Sequence, residues 1–321
     1  MEVFEGYLGI DTSCYTTSVA VLDRQGNLVD EVRRVLEVKP GRRGLAQSEM
    51  VFQHTRNLPE LIEKIFYRHD MKIIGIGVSK QPRPIENSYM PAFLSGYGLA
   101  RSLAATLGAE LVPISHQENH LEAGIWSSGF KGSSKFLMLH ASGGTTDLLL
   151  AEANATGNFV LNEIGGSIDL NAGQYVDRVG VALGMKFPAG AELEKIAAQS
   201  DEIYSLPVSV RDCEISLSGP ATAASRAIEA GVAPSKIALG VENSLAESFA
   251  RCLLNAAKEH QISDVLLVGG VTANKYIRKH ISEKLAEHNI MLYVPDSLYS
   301  SDNAVGCAAA ARRMLEKCND R

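Results

Sequence analysis

The chain has 321 residues, 45% of them hydrophobic and 21% charged, enough for two ordinary lobes with sizeable cores. A formal charge of −6 and a pI near 5.8 exclude strong autonomous binding to nucleic acid, which needs clustered cations. An RNA delivered by a partner, or met by the strip Arg33, Arg34, Lys39, Arg42 and Arg43, stays compatible. Five scattered cysteines speak against a disulfide framework or zinc ribbon. With no leader-like start and no apolar run of roughly 18 residues, a cytoplasmic protein that meets no membrane is expected.

Tyr7–Thr12 and Ser18–Asp23 read as strands, a Gln25-Gly26-Asn27 turn follows, and 28–38 alternates like a third strand. Residues 45–67 have helical apolar spacing through Val51, Leu58, Ile62, Ile65 and Phe66, and Pro59 predicts a kink or restart. A buried-type strand over Ile73–Ser79, a helix over Pro91–Leu107 and a short strand over Leu111–Ile114 come next. Then the pattern restarts: 136–141 and 148–151 repeat the hairpin, and 158–163 its third strand. Ile73–Ser79 with its following helix is matched by 265–270 followed by 272–288, and Leu111-Val112-Pro113 by Leu292-Tyr293-Val294-Pro295.

Two copies of a β-meander followed by a β-α unit describe the duplicated, RNase H-like α/β lobes of the actin, sugar-kinase and heat-shock ATPase superfold. Such lobes hold a nucleotide in the cleft between them, with phosphates on backbone N–H groups of the hairpins. The expected boundaries are 1–114 plus 301–321 for an N-terminal lobe and 115–300 for a C-terminal lobe. A single doubly wound domain with an added helical region is the competing architecture.

His116 and His120 lie four apart at a helix start and share one face, so both imidazoles can point at one ion. The spacing from Pro113 to Pro295 equals that from His120 to Asp302, so Asp302 stands in the second copy where His120 stands in the first. Two His and one carboxylate suit a divalent metal with open positions; a polar helix start capped by Ser115 is the bland alternative. Ser142-Gly143-Gly144-Thr145-Thr146-Asp147 is a hairpin turn or a phosphate cradle, and Gly269–Asn274 is the corresponding turn late in the chain. Asp169 and Asp177 suit ribose hydroxyls or helix caps. Cys14 and Cys307 are expected to pack, Met138 and Met185 to lie in the core, and Trp126 to anchor a helix face.

Together these residues resemble the TsaD family of tRNA threonylcarbamoyladenosine transferases, in order along nearly the whole chain. Ile10-Asp11-Thr12-Ser13-Cys14 resembles the family's I-E-T-S-C, and His116-Gln117-Glu118-Asn119-His120 its H-M-E-G-H. Ser142-Gly143-Gly144 resembles its S-G-G-H-T, Gly269 to Asn274 its G-G-V-x-A-N, and Ser301-Asp302-Asn303 its T-D-N. The resemblance implies a metal, iron by analogy with zinc as alternative, on His116, His120 and Asp302. It implies an adenine nucleotide or acyl-adenylate at His140, Ala141, Ser142, Gly143, Gly144, Asp177, Gly190 and Asn274. The implied reaction passes a threonylcarbamoyl group from its adenylate to a tRNA adenosine and releases AMP, with partner proteins assisting and a homo- or heterodimer compatible. No catalytic side chain is assigned.

The chain departs from the family pattern at Tyr15-Thr16, at Thr145, at Gln81-Pro82-Arg83-Pro84 and at Ser218-Gly219-Pro220-Ala221. Those departures keep open a paralogue that is non-catalytic or differently specific, and the shared superfold keeps open a kinase, for which Asp11 is the only early candidate base.

Overall fold

The structure is a computed structural model, and it describes residues 4–13, 15–38, 45–154 and 158–319, with the side chains of 317–319 left aside. Cys14, Lys39, Arg42, Arg43 and the Cys318 side chain lie outside the described residues. In chain order the elements are β1 (Phe4–Asp11), β2 (Thr16–Asp23), β3 (Leu28–Val35), α1 (Gln47–Arg68), β4 (Met71–Gln81), α2 (Ala92–Leu107), β5 (Glu110–Ser115) and α3 (His116–Ser128). There follow β6 (Lys135–Ala141), β7 (Thr146–Ala153), β8 (Phe159–Ser167), α4 (Ala172–Ala182), α5 (Gly190–Ala197), β9 (Val210–Arg211), β10 (Glu214–Ile215), α6 (Ser218–Glu229) and α7 (Pro234–His260). The last are β11 (Asp264–Val268), a 3-10 turn (Gly270–Ala273), α8 (Lys275–Ala286), β12 (Met291–Tyr293), α9 (Ser297–Ser300) and α10 (Val305–Asn319).

The first sheet has the order β3-β2-β1-β4-β5, with β1 antiparallel to β2 and parallel to β4. The second contains β8-β7-β6-β11-β12 in the same sequence of roles and adds β10 and β9 beyond β8. Its β6 is likewise antiparallel to β7 and parallel to β11. The duplication expected from the repeated pattern is therefore the architecture.

The strands have this order because of what they bury. Leu8, Ile10, Val19, Val21, Ile76 and Val78 on one face of the first sheet meet Leu58, Leu61, Ile65 and Ala100 of α1 and α2. Tyr7, Val112 and Ile114 on the other face meet Cys307, Ala310 and Ala311 of α10. A sheet covered on both faces needs continuous apolar strands, as β1 and β4 are. In the second sheet Leu137, Leu139, Leu148 and Leu150 share a core with Tyr175, Ile237, Leu245 and Phe249, and Met138 and Met185 are buried as expected.

Two local expectations change. α1 runs unbroken through Pro59, because burial of Met50, His54, Leu58, Leu61 and Ile65 along one face outweighs the hydrogen bond that proline removes. The third strand stops at Val35 instead of 38, where Leu36 N–H turns to donate to Tyr15 O and its side chain is buried.

The chain divides into one unit of residues 1–130, 153–159 and 302–321, and a second of 131–152 and 160–301. The expected break at 114/115 is thus corrected to 130/131. α3 stays with the first unit because it packs on α10: a Cβ on Gly306 would lie 1.9 Å from Asn119 O, and Asn119 Nδ2 donates to Asn303 O at 2.7 Å. Among the described residues no helix is long and apolar enough to cross a membrane.

Candidate metal centre and nucleotide pocket

In the first unit, β5 runs straight into α3, and Ser115 caps the helix. Its Oγ accepts from Glu118 N at 3.2 Å, while Glu118 Oε2 accepts from Ser115 N at 2.7 Å. This box fixes the first turn and hence the direction of His116 and His120. Glu118 is thereby a capping residue. Asp302 arrives from the other end of the chain, just before α10, where Ala304 N donates to Ser18 Oγ at 2.9 Å.

The three side chains converge. His116 Nε2 and His120 Nε2 lie 3.1 Å apart, and Asp302 Oδ1 lies 3.5 Å from the first and 3.4 Å from the second. One ligand atom from each lies within 4.8 Å of the others. Atoms bonded to one ion at about 2.0–2.2 Å are separated by about 3.0–3.5 Å, so this triangle fits a single small cation.

Behind the triad, Asp11 Oδ1 lies 3.2 Å from His116 Nδ1. Asp11 is fully buried and accepts from Ser13 Oγ at 2.6 Å and from Ser79 Oγ. An ionised carboxylate only accepts, so a proton stays on His116 Nδ1, and it is Nε2, facing the triad, that must give up its proton to offer a lone pair to an ion. Burial would push the His116 imidazole down, but Asp11 and Asp302 outweigh it and bring its pKa to about 10. Burial and the neighbouring His116 charge push His120 the other way. Burial opposes ionisation of Asp302, yet the two imidazoles hold it well below the usual carboxylate range. The group therefore carries two carboxylates, one imidazolium and one neutral imidazole. Exchanging that proton for a dication would bring its formal charge from −1 to zero, which favours a divalent ion.

In the second unit a pocket of about 490 Å³ brings together Gly143, Asp177, Gly190 and Asn274. His140 and Ala141 are buried at the end of β6, and Ser142 and Gly144 sit in the following turn without lining that pocket. The turn is held by Ser142 N donating to Thr145 O at 2.8 Å and by Gly173 N donating to Ser142 O at 3.1 Å. Gly269 has φ +98°, and a Cβ there would meet Ala141 O at 2.3 Å, so only glycine lets β11 pass into the 3-10 turn this close to β6. Asn274 Oδ1 caps α8 by accepting from Ile277 N at 3.0 Å, and its Nδ2 donates to Glu242 Oε1 at 2.6 Å. Asp177 accepts from Ala189 N at 2.7 Å, and burial raises its pKa. Asp169 takes the capping role: it accepts from Ser216 Oγ at 2.6 Å and from Leu217 N at 2.9 Å at the start of α6.

Several residues that build these sites were not expected from the sequence. Ser79 and Ser13 brace Asp11, and Glu242, Glu194, Val176, Leu193 and Leu245 complete the pocket. Glu242 carries a readable signal, since it interrupts the apolar face of a long helix between Val241 and Leu245. Of the basic strip, Arg33 is paired to Glu31 and Arg34 to Glu60. Cys307 is buried, as expected, and burial raises its thiol pKa well above the usual value. Trp126 Nε1 donates to Gly26 O at 2.8 Å, the anchor expected of it.

Comparison with known proteins adds an independent line. The chain is 27% identical over 296 residues to the tRNA N6-adenosine threonylcarbamoyltransferase of Archaeoglobus fulgidus, covering 92% of this chain and 87% of that one. It is 30% identical over 313 residues to a protein of that name from Thermus thermophilus, covering 97% and 93%. A ROK family glucokinase from Streptomyces griseus, solved with glucose and AMPPNP, superposes with a TM-score of 0.55 at 13% identity over 96% of this chain and 99% of that one. This last likeness gives the fold alone, and it is the superfold expected from the repeat. Residues 28–309 match the family described as TsaD, tRNA N6-adenosine threonylcarbamoyltransferase, and the chain belongs to that family.

Proposed function

We propose that this chain is a metal-dependent acyltransferase that moves a threonylcarbamoyl group from threonylcarbamoyl-adenylate to N6 of a tRNA adenosine. The observation that carries the reading is the convergence of His116, His120 and Asp302 with Asp11 behind His116, in a chain of this family. The matches do not favour a divergent, non-catalytic paralogue.

His116, His120 and Asp302 would hold one divalent ion. A bound ion of this kind supplies Lewis acidity and an oriented binding position for an oxygen of the transferred group. Asp11 keeps the His116 ring in one tautomer and one orientation, and its own burial keeps water from competing for that bond. In the second unit the Gly143 and Gly270 turns offer backbone approach to phosphate, while Asp177 and the apolar walls suit a nucleoside. In the transfer a bond forms between the adenosine N6 and the carbamoyl carbon. The bond from that carbon to the adenylate oxygen breaks, AMP departs, and the amine proton passes to solvent. Partner proteins would bring the tRNA, which suits a chain of net negative charge.

The test pairs metal content with turnover. Purified protein is expected to hold about one divalent ion per chain. Supplied with threonine, bicarbonate, ATP, tRNA and the family's partner proteins, it should yield threonylcarbamoyladenosine, read by mass spectrometry of digested tRNA. His120→Ala should lose both the metal and, by at least about 100-fold, the product. Stoichiometric metal in that variant would show the ion to be held elsewhere. Nucleotide binding without product in the complete mixture would make the chain a non-catalytic binder.

A further inference from the structure

The pocket of the second unit contains one group that the proposed transfer leaves without a task. Glu242, in the middle of α7, is only 3% exposed and lines the pocket among Val176, Leu193, Leu245, Val271 and Ile277. Its Oε1 accepts from Asn274 Nδ2, and Asn274 Oδ1 is committed to the α8 cap. The Asn274 amide is thus fixed at both ends, and it fixes the Glu242 carboxyl in turn. The other oxygen, Oε2, takes no hydrogen bond among the described residues.

A carboxylate oxygen at the wall of a largely apolar pocket is costly to cover unless the covering ligand donates to it. A ribose diol brings two hydroxyls, more than one open oxygen can satisfy. An exocyclic amine on a flat aromatic ring brings one well-directed N–H and covers the apolar walls as well. We propose that Glu242 reads position 6 of a purine held in this pocket, Oε2 accepting from an amine there and rejecting a carbonyl; this rests on the nucleotide-binding reading above. Two acceptors facing each other would leave both unsatisfied, so the discrimination comes mainly from the rejected base. Burial, with Glu194 nearby, pushes the Glu242 pKa up to about 7, so the carboxylate is the main form at pH 8.

ATP and ITP differ at one edge of the base, where the 6-amine and bare N1 of ATP become a 6-carbonyl and an N1–H in ITP, and their equilibrium binding at pH 8 tests the assignment. Wild type should bind ATP at least about tenfold more tightly than ITP. Glu242→Gln keeps an oxygen for Asn274 and presents an N–H to the base, so the preference should fall to about one or reverse. The ratio is the readout because a partly misfolded variant lowers both affinities alike. A wild type that binds both equally, or a variant with the wild-type ratio, overturns the role of Glu242 and leaves nucleotide binding standing. Binding of neither nucleotide to wild type overturns both.

Discussion

His116 shows how one ring is prepared by its surroundings. Asp11 accepts a hydrogen bond from its Nδ1, and two serine hydroxyls hold Asp11 in place. Asp11→Asn should therefore keep the fold and weaken metal binding by about 10- to 100-fold, measured by competition with a chromophoric chelator. Glu242 gives a second expectation at this scale. Its native pKa, about 7, lies above the ordinary 4.5, so the folded protein keeps a proton that the unfolded chain releases first. Its contribution is fully present below pH 4.5 and is lost as pH rises through 7. Stability in urea should fall across that window by roughly 1–2 kcal/mol, discounted for its pocket-facing oxygen, and Glu242→Gln should remove that part of the slope.

Among the elements, α3 and α10 carry the most consequence. Their backbones approach so closely that a methyl group on Gly306 would overlap Asn119 O. Gly306→Ala should cost about 3 kcal/mol in denaturant unfolding of the first unit and loosen the candidate metal site, because His120 follows Asn119 directly. The same pair explains where sequence reasoning succeeded and where it stopped. The i,i+4 histidines and the matching offset to Asp302 were legible because they are periodic features of a duplicated pattern. The membership of α3 in the first unit was not, since it depends on a glycine contact between residues far apart in the chain. Pro59 misled for a related reason: a local penalty is visible in the sequence, whereas the burial that outweighs it is tertiary. Glu242 and the serines around Asp11 escaped because an ordinary residue type signals its role only when its neighbours in space are known.

Seen whole, the molecule keeps its two candidate sites in separate units: His116, His120 and Asp302 are all in the first, and every pocket residue is in the second. Hydrogen exchange should separate them. A divalent ion is expected to slow exchange in α3, the end of β1 and the start of α10. A nucleotide should slow it around Gly143, Gly173–Glu194 and Gly270–Ile277. An ion at 100 times its dissociation constant should stabilise its unit by about 2.7 kcal/mol.

The division of the first unit also sets an order of events during synthesis. His116 and His120 leave the ribosome long before Asp302, with the whole second unit made in between. At about 5–20 residues per second, that interval is roughly 10–40 s. Throughout it the nascent first sheet lacks α10, the helix that covers Tyr7, Val112 and Ile114. The triangle of His116, His120 and Asp302 can therefore close only late: the second unit has its full sequence first, and Asp302 and α10 then complete that triangle and the first core together.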